Sequence, residues 1–269
     1  MNVTKDTKVD FSFCLNLEEM IRTGATVGRS GKRFENIGAL STTNNLSVLR
    51  QLMFRYKPKR TLEIGLCFGG SCLLFAATHR ELTGKAAKQH TAVDPFQQQV
   101  WDDAGLLALE RAELAGYVSF QPYFSSMILP RLVEENAQFD LVYIDGSHVF
   151  EDVFIDTYYT GRLLSQGGVV AFDDCGDPHV RKVLAFLRSN LGDSFEELDL
   201  RAVPRGPGPL NEVSPGSASR PDTNEGISAH WCSHTPLERA VSQFLIPSRV
   251  HKCITLRALR VCLPGQGKG

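Results

Sequence analysis

Four side chains in the middle of the chain have the types that hold a metal ion and move a proton: Asp145, His148, Asp173 and Asp174. The first two belong to Tyr143-Ile-Asp145-Gly-Ser-His148, the others to Ala171-Phe-Asp173-Asp174. Each motif closes a short apolar run that reads as a buried strand. Neighbouring parallel strands lie about 4.8 Å apart, so carboxylates at their ends can meet. Crowded carboxylates repel unless a proton or a cation lies between them. Hard oxygen donors in this number suit Mg²⁺, which keeps positions open for water and substrate. Asp145, Asp173 and Asp174 are therefore the candidate metal ligands. His148 stands three residues past Asp145, and an imidazole with an ordinary pKa of ~6.5 is suited to take a proton from a hydroxyl. Taken alone, it reads as a surface residue at a helix N-terminus; beside the acids it becomes the candidate general base.

A second constellation lies upstream, in Thr61-Leu-Glu63-Ile-Gly65-Leu-Cys-Phe-Gly69-Gly-Ser71-Cys-Leu-Leu-Phe75. An apolar run, a glycine-rich turn and a second apolar run predict strand, tight turn and helix N-terminus. Glycine permits the sharp turn and a close approach of ligand to backbone, and the free N–H groups of the helix start face that ligand. Glu63 adds a carboxylate near the same mouth, which disfavours a phosphate and favours a cationic or hydroxyl-rich ligand. The spacing is not the dinucleotide GxGxxG pattern. Asp94 follows Gly65 by 29 residues, one strand–helix–strand unit, and sits where a ribose diol is held by a carboxylate.

The elements that must position these groups follow in alternation. Helices are expected over 46–56, 72–82, 101–115, 126–136, 149–164 and 178–191. Strands are expected from Thr61, over 90–94, 117–121, 139–145, 167–174 and 195–200, and finally over 255–261. Such alternation predicts an α/β protein with a doubly wound, mostly parallel sheet and helices on both faces. Ligands of such sheets sit beyond the carboxyl ends of the strands at the switch point. Every strand end noted here carries an acid: Glu63, Asp94, Asp145, Asp173 and Asp174. Singly each reads as a turn or cap residue; together they predict one acidic rim. Residues 1–40 form an N-terminal segment with a short amphipathic helix over 11–21 and a loop over 24–31. The region 41–269 is read as the main domain, with a proline-, glycine- and serine-rich insertion at about 202–236.

With these motifs on the page, the chain over about 41–190 resembles class I S-adenosylmethionine-dependent methyltransferases. It resembles in particular the metal-dependent O-methyltransferases, among them the catechol, caffeoyl-CoA and macrolide-sugar enzymes and the methyltransferase family 24 type. The resemblance implies a Rossmann-like sheet of seven strands with the last antiparallel. It implies S-adenosylmethionine and Mg²⁺ as cofactors. The cofactor contacts it implies are Glu63, Gly65, Gly69, Ser71, Asp94, Phe124, Ser125 and Asp145, with Phe96 beside the adenine. Asp174 stands where the catechol type has Asn, and His148 where it has a base lysine. That departure moves the likeness toward the sugar and natural-product branch. The implied reaction is methyl transfer to a small hydroxylated acceptor.

Composition limits the alternatives. A net charge of -1 over 269 residues gives no field that gathers nucleic acid or a membrane surface. Seven cysteines, scattered and without a CxxC pair, predict a reduced, cytoplasmic protein, and no secretory signal or membrane span is expected. A homo-oligomer is compatible with all of this. Cys67 and Cys175 read as packing residues, Arg181 as a helix-surface residue, and the Arg55–Arg60 basic cluster as a solvated helix end. His230 and His234 fall in the insertion and read as incidental spacing. Two rival functions share the scaffold: hydroxylase-like chemistry on the Asp-Gly-x-His pattern, and cofactor or partner binding without catalysis.

Overall fold

The structure is a computed structural model that describes residues 10–38, 40–192, 194–200 and 256–261. The insertion at 202–236, with His230 and His234, lies outside the described residues. A short helix, α1 (Leu15–Thr23), leads into an antiparallel hairpin of β1 (Ala25–Val27) and β2 (Arg33–Glu35). The expectation of a loop over 24–31 is thus corrected: the segment is short and lacks an apolar alternation, but β2 supplies the ladder. The hairpin loop is fixed to the main domain, since Arg29 pairs with Glu110 at 2.7 Å and the Ser30 hydroxyl donates to Asp102 at 2.6 Å.

Helix α2 (Thr43–Tyr56) starts where Thr42 accepts from the Asn45 amide at 3.2 Å, an N-cap. Strand β3 (Thr61–Ile64) then enters the centre of the molecule, followed by α3 (Gly70–Thr83), β4 (His90–Val93), α4 (Ala104–Arg111) and β5 (Val118–Gln121). The second half adds α5 (Ser125–Glu134), β6 (Phe139–Ile144), α6 (Phe150–Leu163), β7 (Leu164–Phe172) and α7 (Pro178–Leu191). It closes with β8 (Phe195–Glu197) and β9 (Arg257–Val261). Helix α4 is shorter than the expected 101–115 because Asp102, Asp103 and Glu113 adopt left-handed backbone (φ +49°, +53° and +57°) at its two ends.

Among the described residues, seven strands form one sheet in the order β5-β4-β3-β6-β7-β9-β8. All neighbours up to β7 pair in parallel, and β9 runs antiparallel to both β7 and β8. This is the Rossmann-like, doubly wound arrangement expected. Two apolar layers cover the sheet. Leu141 and Tyr143 of β6 pack in the layer of α1–α4, while Val142 and Ile144 pack in the layer of α5–α7, the period-2 alternation of a strand buried on both faces. Strand order reverses between β3 and β6, so their carboxyl ends form the switch-point crevice. No helix among the described residues is long and apolar enough to cross a membrane.

Candidate active site

The crevice at the switch point opens into a cavity of about 540 Å³, within the usual range for small-molecule sites. Gly65, Asp94, Phe124, Ser125 and Asp145 line it, as do Phe96, Trp101 and Asp156. At Gly65 the backbone has φ +99°, and a Cβ there would stand 2.2 Å from the Asp145 carbonyl oxygen. The glycine is thus required first by the approach of β6's end. Gly69 (φ +85°) caps α3, where a Cβ would lie 3.0 Å from the Gly105 Cα. Ser71 is buried within α3. Neither Gly69 nor Ser71 lines the cavity.

Asp94 is the post of this loop. Its Oδ2 accepts from the Cys67 amide at 2.7 Å and from Gln97 Nε2 at 3.0 Å, and its Oδ1 from the Phe96 amide at 2.7 Å. Burial raises its pKa, against the downward pull of those donors. The carboxylate thereby shapes the glycine turn as well as facing the cavity. Opposite, Phe124 is 42% exposed and meets Phe96 edge-on at 5.6 Å between ring centroids. An open aromatic face at a cavity mouth is a platform for a planar ligand.

Glu63 is placed elsewhere. It is fully buried in β3, away from the cavity wall, with Oε1 3.4 Å from His90 Nε2 and neither carboxylate oxygen hydrogen-bonded. Its register in mid-strand, one residue before Ile64 ends β3, keeps it inside the sheet. The Thr61 hydroxyl links His90 Nδ1 (2.8 Å) to His79 Nε2 (2.9 Å), and burial with the nearby His90 pushes the His79 pKa down to about 4.

At the rim, one ligand atom each from Asp145, His148 and Asp174 lies within 4.8 Å of the others. His148 Nε2 stands 3.0 Å from Asp174 Oδ2. The hydrogen bond to Asp174 raises the His148 pKa against burial, and the charges of Asp174, Asp177 and Asp173 add to the rise. Asp173 is not part of this group. Its Oδ1 accepts from Asn45 Nδ2 at 2.6 Å and from the Asp174 amide at 2.7 Å, and its Oδ2 takes a short hydrogen bond from the Tyr143 hydroxyl. The group gathered at the rim is thus two carboxylates and an imidazole, with Asp173 of the expected trio held by Asn45 and Tyr143 instead. Just past the end of β7, Asp174 takes left-handed backbone (φ +46°), and its carboxylate meets His148. Two carboxylates and an imidazole within this span fit a divalent cation; the presence of nitrogen widens the choice from Mg²⁺ toward Mn²⁺, Fe²⁺ or Zn²⁺.

Some residues of the site escaped sequence reasoning. Tyr143 lies between the acids: its hydroxyl is 3.1 Å from Asp145 Oδ2 and 3.0 Å from the Ser41 hydroxyl, which itself donates to Asp145 at 3.1 Å. Burial, then the charges of Asp145 and Asp173, push the Tyr143 pKa well up. Its i, i+2 relation to Asp145 was a usable signal. Ser41 and Asn45 arrive from the start of α2, which no local spacing announces. Asp156 was also missed, although it falls on the buried stripe Val153, Asp156, Thr157, Thr160 of α6.

Residues 62–175 match the family model described as a methyltransferase domain. The match runs from β3 to just past the end of β7, so the Gly65 turn, Asp94, the Asp145–His148 turn and Asp174 all lie inside it. Solved structures agree on the fold. One is the O-methyltransferase TomG from Streptomyces achromogenes, involved in tomaymycin synthesis, in complex with SAM. It is 19% identical, with a TM-score of 0.54 over 72% of this chain and 85% of that one. Another is the O-methyltransferase from Bacillus cereus in complex with SAH, at 17% identity and a TM-score of 0.52 over 72% and 86%. Cofactor-bound Rv0187 from MTB is also similar, at 17% identity and a TM-score of 0.55 over 72% and 84%. Among curated proteins none matches the chain significantly. Within the matched region the cavity and the acidic rim meet at Asp145.

Proposed function

We propose that the domain is an S-adenosylmethionine-dependent O-methyltransferase acting on a small, hydroxylated, diol-like acceptor with the help of a divalent cation. The observation that carries this reading is the double membership of Asp145: it lines the large cavity and belongs to the Asp145–His148–Asp174 group. A cofactor in the cavity and an acceptor at the rim would then be neighbours, as direct transfer requires. The similar structures with SAM or SAH bound support the cofactor, and so does the cavity's size.

In this reading Gly65 and the Asp94-braced turn bind the nucleoside, with Phe124 and Ser125 at its base. S-adenosylmethionine supplies an electrophilic methyl group on a sulfonium. Asp145 and Asp174 hold the cation, Mg²⁺ in the simplest case, which when bound lowers the pKa of an acceptor hydroxyl and fixes its direction. His148 accepts the hydroxyl proton, with Asp174 orienting its ring and stabilising the charge it gains. Ser41 and Tyr143 hold Asp145, and Asn45 holds Asp173 behind it. The scattered cysteines, with no CxxC pair among them, support a reducing, cytoplasmic setting.

The test is transfer of labelled methyl from S-adenosylmethionine to a panel of vicinal diols, with and without EDTA. Cation-dependent transfer that is lost in Asp145→Ala and His148→Ala is expected. Transfer indifferent to EDTA and to Asp145→Ala removes the cation from the account. A second reading is favoured by the closeness of His148 to both acids: the imidazole serves as a third ligand, as in an iron site. Oxygen consumption that requires Fe²⁺ identifies that hydroxylase-like chemistry instead.

A further inference from the structure

Behind the glycine turn lies a second group of ligand-type side chains, which the methyl-transfer reading does not use. Glu63 of β3, Cys72 of α3 and His90 of β4 each offer one atom within 4.8 Å of the others. All three residues are fully buried. Both Glu63 carboxylate oxygens and His90 Nε2 lack a hydrogen-bond partner, and among the described residues Glu63 pairs with His90 alone. A buried carboxylate without donors is costly, so a fold keeps one where something completes it. His90 Nε2 stands 3.4 Å from Glu63 Oε1 without forming a hydrogen bond. Two ligands on a tetrahedral zinc ion, with bonds of about 2.1 Å, stand about 3.4 Å apart. The His90 ring is fixed for that role: Phe75 stacks on it at 4.8 Å between centroids, and its Nδ1 is 2.8 Å from the Thr61 hydroxyl. A ligating imidazole is oriented in this way by a partner on its other nitrogen.

We propose that Glu63, Cys72 and His90 bind a zinc ion in the interior, at a site separate from the acidic rim, where it ties β3, β4 and α3 together beneath the glycine turn. A thiolate and an imidazole select zinc over Mg²⁺. Charge favours it too. Zn²⁺ with one thiolate, one carboxylate and a neutral imidazole is a neutral unit, and an apolar interior accepts that where it penalises a lone carboxylate. Glu63 can bind through both oxygens, which brings the ligand atoms to four and closes the site as in a structural zinc centre. In the ion's absence burial, and after it the charge of Glu63, push the Cys72 pKa well up, so the thiol keeps its proton. Binding releases that proton to solvent. Cys72 lies in the first turn of α3, where the helix N-terminus favours the thiolate that forms. Because all three ligands are sealed from solvent, the ion enters during folding and leaves the folded protein slowly.

The test is metal analysis of the full chain, expressed with zinc in the medium and then dialysed against EDTA under native conditions. A stoichiometric amount of zinc should remain in the wild-type protein, in Asp145→Ala and in Asp174→Ala, and be lost from Cys72→Ser and His90→Leu. X-ray absorption at the zinc edge of the wild-type protein should show one sulfur neighbour at about 2.3 Å beside nitrogen and oxygen. That readout does not depend on how the variants fold. A folded wild-type protein that retains no zinc, a zinc shell without sulfur, or zinc retained by Cys72→Ser overturns the assignment. Zinc lost from Asp174→Ala but kept by the wild-type protein places the ion at the rim and overturns it as well.

Discussion

His148 Nε2 lies 3.0 Å from Asp174 Oδ2, although the two residues are on loops that follow different strands. The contact joins the end of β6 to the end of β7 and places a proton-carrying group beside two candidate cation ligands. What that pairing does for chemistry is open to direct measurement.

Cation binding is expected to depend on Asp145 and Asp174 and much less on Asp173. Titration of metal-free protein with Mn²⁺, followed by electron paramagnetic resonance, should show affinity reduced by tenfold or more in Asp145→Ala and Asp174→Ala, by analogy with the loss of one ligand or its orienting partner. Equal loss in Asp173→Asn would mean that the Asp173 side chain turns outward on binding.

Asp173 is instead expected to matter for stability. Its carboxylate takes hydrogen bonds from Asn45 and Tyr143 in the interior, and Asp173→Ala removes the acceptor of the buried Asn45 amide while the Tyr143 hydroxyl keeps Asp145 and Ser41. A loss of about 1–3 kcal/mol is expected, read from the denaturant midpoint at constant m-value. An unchanged midpoint contradicts the buried network.

Gly65→Ala should disable the site and not merely weaken it. A Cβ at φ +99° would collide with the Asp145 carbonyl oxygen at 2.2 Å, so the end of β6 must shift. Both S-adenosylhomocysteine binding and Mn²⁺ binding should fall together in this variant. Loss of one with the other intact argues that the nucleoside turn and the acidic rim are not mechanically joined.

Asp156 sets a sign for stability against pH. Burial, aided by Asp152, raises its folded pKa from 3.8 to about 7, so the folded protein holds this proton more tightly than the unfolded chain. Its contribution is fully present below pH ~4 and is lost as the pH rises through about 7. At roughly 1.4 kcal/mol for each tenfold change in proton affinity, the upper bound is about 4 kcal/mol. Asp156→Asn, which cannot ionise, should therefore melt higher than the wild-type protein at pH 8 and near the same temperature at pH 4. A constant difference across that range excludes the raised pKa.

The alternation of apolar runs with helical spacing determined the fold class, because both signals are local and repeat every few residues. The acids at Asp94, Asp145 and Asp174 were legible for the same reason: each closes a strand, and parallel strands bring their carboxyl ends to one edge. Three things were decided only by the tertiary structure. Glu63 stays inside the sheet since its position in β3 is mid-strand, a matter of register and not of residue type. The Asp173 carboxylate is held by Asn45 and Tyr143 while that of Asp174 meets His148, so the group gathered at the rim is Asp145, His148 and Asp174. Ser41, Asn45 and Asp156 reach the site from the start of α2 and the middle of α6, about 100 residues apart along the chain. No spacing rule links them, because the distance that joins them is measured across a packed core, after the sheet has formed.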